Sequence, residues 1–329
     1  MAASCWRPGA DPAILRLRAE LLARIRAFFA TRGVLEVDTP ALSVAAIGDP
    51  HLASFATVYS GPGSRHGRTL YLHTSPEFPM KRLLAAGSGC IYQIARVFRD
   101  GEAGRLHNPE FTLLEWYRVG FDHRRLMDEV TELATGLLAG RVSLAEPERL
   151  SYRAAFQRHL DLDPHRATVA ELAVCAERFG VPIPPGMPAD ETDPWLDLLL
   201  THRIEPRLGA GRLTFLYDYP ASQAALARLR PGDPPVGERF ELYLNGVELA
   251  NGFHELGDAV EQRRRFEEEN AVRRARGLPE MPVDEHLLAA LAAGLPDCAG
   301  VALGFDRLAM LAAGKQSLAE VLTFPFERA

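Results

Sequence analysis

Two arginines and one polar pair carry the chemical interest of this sequence. Arg99 closes the segment Cys-Ile-Tyr-Gln-Ile-Ala-Arg-Val-Phe-Arg, residues 90–99. In an extended chain, alternation puts it on one face with Gln93, Ala95 and Val97. Taken alone, an arginine at a strand end is more often part of a surface ion pair. The next apolar segment, residues 109–119, changes that reading. There Glu115 and Tyr117 stand two residues apart among Phe111, Leu113, Leu114 and Trp116. A polar pair at period two in an apolar strand suggests a lined pocket. Arg307 lies in Gly-Phe-Asp-Arg-Leu at a strand-to-helix junction, where Gly304 permits close backbone approach. Guanidinium groups are permanently charged and match phosphate oxygens in bidentate fashion. Two of them could bracket a triphosphate. There is no Gly-x-x-x-x-Gly-Lys-Ser/Thr loop and no Gly-x-Gly-x-x-Gly after a strand. A nucleotide would have to be held by an antiparallel sheet with arginines.

The elements that must position these residues follow from periodicity. Residues 12–31 predict an amphipathic helix, with Ile14, Leu17, Leu21, Ile25 and Phe28 on its apolar face and Gly33 at its end. A short strand follows at 34–38 and stops at Pro40. Residues 90–99 and 109–119 predict an antiparallel hairpin with a long polar loop. A helix is expected over 125–139. Short helical pieces and a Pro-rich turn, Pro182 to Pro188, are expected within 161–212. Residues 239–256 read as strands. Residues 261–276 read as a charged, solvated helix with Glu261–Arg265, Arg263–Glu267 and Arg265–Glu269 pairs. Residues 300–314 run from strand into helix. No linker-like shift divides the chain, so the expectation is one α+β domain on an antiparallel sheet flanked by helices.

Composition sets outer limits. The chain has 329 residues, 47% hydrophobic and 24% charged, which is ordinary for a globular protein. Its net charge of −6 argues against a broad nucleic-acid-binding face, since phosphate neutralisation supplies most of that affinity. Cys5, Cys90, Cys175 and Cys298 are too far apart in sequence for a zinc or redox pair and read as reduced thiols. The N-terminus lacks the apolar core of a signal peptide, and the apolar stretch 287–314 is broken by Asp297, Asp306 and Arg307. A cytoplasmic, non-membrane protein is expected. The histidines, including His107, His202, His254 and His286, are scattered and read mostly as structural or surface residues.

The motifs together resemble the catalytic core of class II aminoacyl-tRNA synthetases. The first helix, strand and Pro40 resemble motif 1. The Phe-Arg-Asp…Arg-Leu-His-Asn-Pro-Glu-Phe-Thr-Leu-Leu-Glu-Trp-Tyr hairpin resembles motif 2, and Gly-Val-Ala-Leu-Gly-Phe-Asp-Arg-Leu resembles motif 3. Thr74-Ser75-Pro76-Glu77 and Glu248-Leu249-Ala250-Asn251-Gly252-Phe253-His254-Glu255 resemble lysyl-specific segments. The resemblance covers about residues 12–327. It implies ATP and Mg2+ as cofactors and an aminoacyl-adenylate as intermediate, without an enzyme nucleophile. Arg99 would hold the α-phosphate and the substrate carboxylate, and Arg307 the γ-phosphate. Asn108, Glu248, Leu249 and Gly304 would complete the ATP site, and Glu241 and Glu248 would carry the metal. Ser75, Pro76 and Glu77 would meet the substrate's amino end. Glu115, Tyr117 and Glu255 would enclose a side-chain ammonium, with Asn251 at the carboxylate end and Ala302 in the pocket wall. A homodimer is implied through motif 1.

Three departures matter. The motif 1 helix starts near residue 12, so residues 1–11 read as an extension and 12–329 as the catalytic domain, with no anticodon-binding domain and no anticodon recognition of tRNA. Motif 2 normally reads Arg-x-Glu, but here Gly101 intervenes and Glu102 comes one place late. Ala302 stands where lysyl enzymes tend to have glycine. All three resemble the elongation factor P lysine ligases. That resemblance implies transfer of an activated (R)-β-lysine, or lysine, to the ε-amino group of a lysine on elongation factor P. The alternative keeps the chemistry and changes the acceptor to tRNA or another small amine.

Overall fold

Asp11 starts the first helix, α1 (Pro12–Ala30), by accepting a hydrogen bond from the Ile14 amide at 2.9 Å, with Pro12 in the first turn. The structure is a computed structural model and describes residues 6–64 and 67–329. Cys5 and the start of the expected extension lie outside the described residues. Helix α1 buries Ile14, Leu17, Leu21, Ile25 and Phe29. Its stripe therefore ends on Phe29 rather than the expected Phe28. Both positions fit the helical period. The partners decide, because Phe29 stacks on Tyr92 and meets Trp116 edge-on. Phe28 stays half-buried under the Arg32 guanidinium.

The chain continues through β1 (Leu35–Glu36), β2 (Leu42–Ser43), β3 (Ala56–Tyr59), β4 (Arg68–Leu72), α2 (Glu77–Ala85), β5 (Ile91–Phe98), β6 (Glu110–Val119), α3 (His123–Leu138) and β7 (Ala145–Ser151). Then come α4 (Tyr152–Leu160), α5 (Val169–Arg178), α6 (Asp193–Leu199), β8 (Arg212–Pro220), β9 (Leu229–Arg230), β10 (Val236–Leu244) and β11 (Val247–His254). The last elements are α7 (Ala259–Ala275), α8 (Glu285–Gly294), β12 (Cys298–Gly304) and α9 (Phe305–Ala312).

The main sheet runs β1-β5-β6-β12-β11-β10-β8-β7, with β9 on β10. Its centre, from β5 to β8, is antiparallel as expected. Its two edges are not: β1 joins β5 and β7 joins β8 in parallel, so the sheet is mixed. The α+β class stands. The expected strand over 34–38 shrinks to two residues, because only Leu35 and Glu36 find ladder partners, Ile91 and Tyr92.

Alternation separates the two faces of the sheet. Leu114 and Trp116 of β6 face a core built with α1, α3 and α9. Leu113, Glu115 and Tyr117 face the other way, toward the side covered by α2, α7 and α8. A second core forms where α4, α5 and α6 pack on β7 and β8. Asp306, in the first turn of α9, is buried and accepts from the Thr112 amide at 2.7 Å while pairing with Arg18 at 2.6 Å. That ties α9 to both β6 and α1, and so fixes the direction of Arg307.

Candidate active site

A cavity of about 370 Å³ opens on the α7 side of the sheet. Its floor comes from β6, β12, β11 and β10. Ser75, Glu77, Arg99, Asn108, Glu241, Glu248, Leu249, Asn251, Ala302, Gly304 and Arg307 all line it. Pro76, Glu115, Tyr117 and Glu255 do not. Pro76 sits at the N-cap of α2. The other three form a buried layer behind Ser75 and Glu77.

One end of the cavity is cationic. Arg307 donates from Nη1 to the Glu248 carbonyl at 2.9 Å and from Nε to the Leu106 carbonyl at 3.2 Å. Its Nη1 also lies 3.4 Å from the Glu248 carboxylate. Its Nη2 donates to His107 Nε2 at 2.9 Å. Burial, and then the Arg307 charge, lower the His107 pKa, which keeps the ring neutral and able to accept. His107 is thus a pocket residue, not a scattered surface histidine. Arg99 stands over the Phe111 ring, and its buried Nε has no partner. Gly101 takes a positive φ of 78°, a conformation open to glycine, and the loop brings Glu102 into the cavity 3.7 Å from Arg99. Asn108 spends much of its side chain on structure. Its nitrogen donates to the Glu110 carbonyl at 2.6 Å, and its oxygen accepts from the Phe326 amide at 3.0 Å.

The other end is rich in carboxylates. Glu115 accepts from Ser75 Oγ and from the Tyr117 hydroxyl, each at 2.7 Å. Strand register places Ala302 directly beside Glu115 on one side and Asn251 on the other. Burial, aided by the nearby Glu77 charge, pushes the Glu115 carboxyl up to about 8. Glu255 is pushed up to about 7, again by burial first, although Lys81 pulls it back. Lys81 was not singled out by its sequence position. It is fully buried, and its ammonium lies 2.6 Å from both Glu77 and Glu255. Burial opposes its charge, but the two carboxylates more than offset that and raise its pKa. The Glu77–Lys81 spacing of four on a helix was the available signal. Glu255 therefore already has a cation, while Glu115 has only hydroxyl partners.

Glu241 and Glu248 line the same cavity, Glu248 beside Arg307. Glu241 pairs with Arg239 and accepts from the Tyr243 hydroxyl at 2.6 Å. Tyr243 also reaches Glu205 at 3.3 Å. Burial and the Glu241 charge raise the pKa of both Glu248 and Glu205. This excess of negative oxygen donors suits a hard divalent cation shared with phosphates.

On the opposite sheet face, His254 sits between Glu238 at 2.5 Å and Asp297 at 3.0 Å. Arg228 and Arg230 pair with Asp297 and Asp218 there. That network closes the end of β11 and takes no part in the cavity. His202 bonds its own helical turn, and His286 starts α8.

Comparison with known proteins places this geometry. The profile described as tRNA synthetases class II (D, K and N) matches residues 6–328. The chain belongs to the class II tRNA synthetases. Within that family it is similar to proteins called elongation factor P–(R)-beta-lysine ligase. It is 53% identical to the one of Vibrio vulnificus over 321 residues, 98% of each chain. It is 52% identical to the one of Vibrio cholerae serotype O1 over 329 residues, the full length of both. The Salmonella paratyphi B relative is 52% identical over 324 residues, again 98% of each chain. In this class II synthetase chain the segments expected to resemble motifs 2 and 3 meet at the cationic end of the cavity, through Arg99 and Arg307. No helix of the described residues is long and apolar enough to cross a membrane.

Proposed function

We propose that this protein activates (R)-β-lysine, or lysine, with ATP and transfers it to the ε-amino group of a lysine on elongation factor P. One observation carries the reading. A single cavity joins two arginines at one end to a wall backed by carboxylates at the other, in a chain about half identical to relatives of that name. The substrate carboxylate attacks the α-phosphorus in line and pyrophosphate leaves. The acceptor amine then attacks the carbonyl of the mixed anhydride, AMP departs, and the amine's proton passes to solvent as the amide forms. Arg99 holds the α-phosphate and the substrate carboxylate, and Arg307 the γ-phosphate, so that both stabilise charge developing on phosphoryl oxygens. Asn108, Leu249 and Gly304 shape the nucleotide site. Glu241 and Glu248 fit a Mg2+ ion by donor chemistry and excess charge; the ion would neutralise the polyphosphate.

Ser75 and Glu77 meet one amino group, and Asn251 the carboxylate end. Glu115 and Tyr117, reached past Ser75, provide charge and direction for the distal ammonium, with Glu255 behind, already held by Lys81. A buried ammonium without such a partner would cost several kcal/mol. Ala302 narrows the pocket wall. Residues 12–329 act as one catalytic domain in the cytoplasm. A homodimer through α1 and β1 is supported by the exposed Leu15 of α1 and Leu35 of β1; light scattering tests it. The decisive experiment incubates the protein with ATP, (R)-β-lysine and elongation factor P and reads the intact mass of the acceptor. A gain of one lysyl unit is expected. No gain with either lysine sinks the reading, and charging of bulk tRNA instead would favour a synthetase.

A further inference from the structure

Helix α7 looks solvated in sequence, yet it sends one carboxylate inward. Glu267 and Glu268 are exposed, whereas Glu269 lines the cavity and its buried Oε2 has no hydrogen-bond partner. The backbone makes room for it: a Cβ on Gly48 would collide with the Glu269 carboxylate and stand 3.2 Å from its Cβ. The loop carrying Gly48 is fixed to the same helix, since Arg273 donates to the Asp49 carbonyl at 3.1 Å.

The cations near Glu269 are committed elsewhere. Arg265 pairs with Glu261 at 2.9 Å and donates to the carbonyls of Ala225 and Ala227. Arg273 bonds the carbonyls of Pro279 and Asp49. Among the described residues, Glu269 makes no ion pair. The other charged groups it senses are Asp49 and Glu77, both carboxylates lining the same cavity. A desolvated carboxylate facing two others is a costly arrangement unless a cation enters.

We propose that Glu269 is a specificity-determining residue that receives the substrate's proximal ammonium, the one nearer its carboxylate, together with Glu77. This rests on the lysine-like substrate proposed above. The Glu115–Tyr117 pair serves the distal ammonium and Lys81 already holds Glu77 at 2.6 Å, so Glu269 is the carboxylate left without a cation beside the proximal one. That amino group is the one whose position differs between α-lysine and β-lysine, so its carboxylate partner helps to choose between them.

The test uses the full chain, ATP–pyrophosphate exchange, and the variants Glu269→Gln and Glu269→Asp. 6-Aminohexanoic acid, which keeps the distal amine and lacks the proximal one, serves as competitive inhibitor. Loss of one charge-assisted bond predicts about a tenfold rise in KM for β-lysine in Glu269→Gln, with kcat within about threefold. Glu269→Asp recovers most of it, and inhibition by 6-aminohexanoic acid stays within about twofold of wild type. Burial and Asp49 push Glu269 up to about 7, so wild-type KM falls as pH rises through that value and the Gln variant loses this component. An unmoved β-lysine KM, or equal weakening of both ligands, overturns the role of Glu269. Failure of wild-type exchange with either lysine overturns the substrate reading beneath it.

Discussion

Arg307, half-buried, and Lys81, fully buried, show how differently two cations serve one cavity. Arg307 is aimed by two carbonyls and a neutral histidine, and the Glu248 carboxylate at 3.4 Å offsets only part of its charge. Replacing it by alanine should lower ATP–pyrophosphate exchange by about two to three orders of magnitude, the usual cost of losing a preorganised electrostatic group. Exchange that survives Arg307→Ala would remove it from the phosphate site. Lys81 is spent entirely on Glu77 and Glu255. Lys81→Met leaves the buried Glu255 and the half-buried Glu77 unpaired, and denaturant unfolding at neutral pH should show a loss of about 3–5 kcal/mol. At pH 5 the loss should shrink, because Glu255, pushed up by burial to about 7, is then protonated. The arginines and the Glu115–Tyr117 pair were legible because local spacing carries them. Lys81 and Glu269 were not, because Glu255 and Gly48 lie far away in sequence, and a charge run on a helix reads as solvated until its tertiary neighbours are known.

At the scale of elements, the site is a product of strand register. Beta-strands β6, β12 and β11 align Glu115, Ala302 and Asn251 in one row. Gly300, two residues before Ala302, has no room for a side chain: an added Cβ would meet the Tyr117 ring and lie 2.5 Å from Glu255 Oε1. Gly300→Ala should therefore cost about 1–3 kcal/mol by overpacking and raise the lysine KM more than the ATP KM. Equal effects on both would argue that β12 does not set the pocket wall. The hairpin β5–β6 was predictable from alternation and its polar loop, and residues 239–256 were legible as strands but not as the hairpin β10–β11. The parallel edges were not, since pairing direction depends on which distant strand is adjacent. On α7, Arg263 turns to Glu285 of α8 instead of Glu267, and Glu269 is turned into the cavity without an ion pair. Only Glu261–Arg265 forms as expected.

For the whole molecule, the cavity stores a pH dependence. Burial lifts Glu115 to about 8 and Glu255, Glu269 and Glu205 to about 7. In an unfolded chain a glutamate titrates near about 4.3. Between those limits the folded state binds more protons than the unfolded one, so stability falls as pH rises from about 4.5 to about 8. These four carboxyls favour a higher melting temperature of the ligand-free protein at pH 5.5 than at pH 8, against the opposite contribution of His73, His107, His159 and His165, which burial holds below their ordinary pKa. A diamine substrate reverses the balance. Its ammonium groups favour ionised Glu115 and Glu269, so binding releases protons near neutrality and is tighter at pH 8 than at pH 5.5. Calorimetry in buffers of different ionisation enthalpy measures that release directly. Thermal shifts should show substrate stabilising the protein more at the higher pH. A shift independent of pH would mean that the ammonium groups bind elsewhere than against these carboxylates. The stability given up at high pH would then have a structural origin, unconnected with substrate choice.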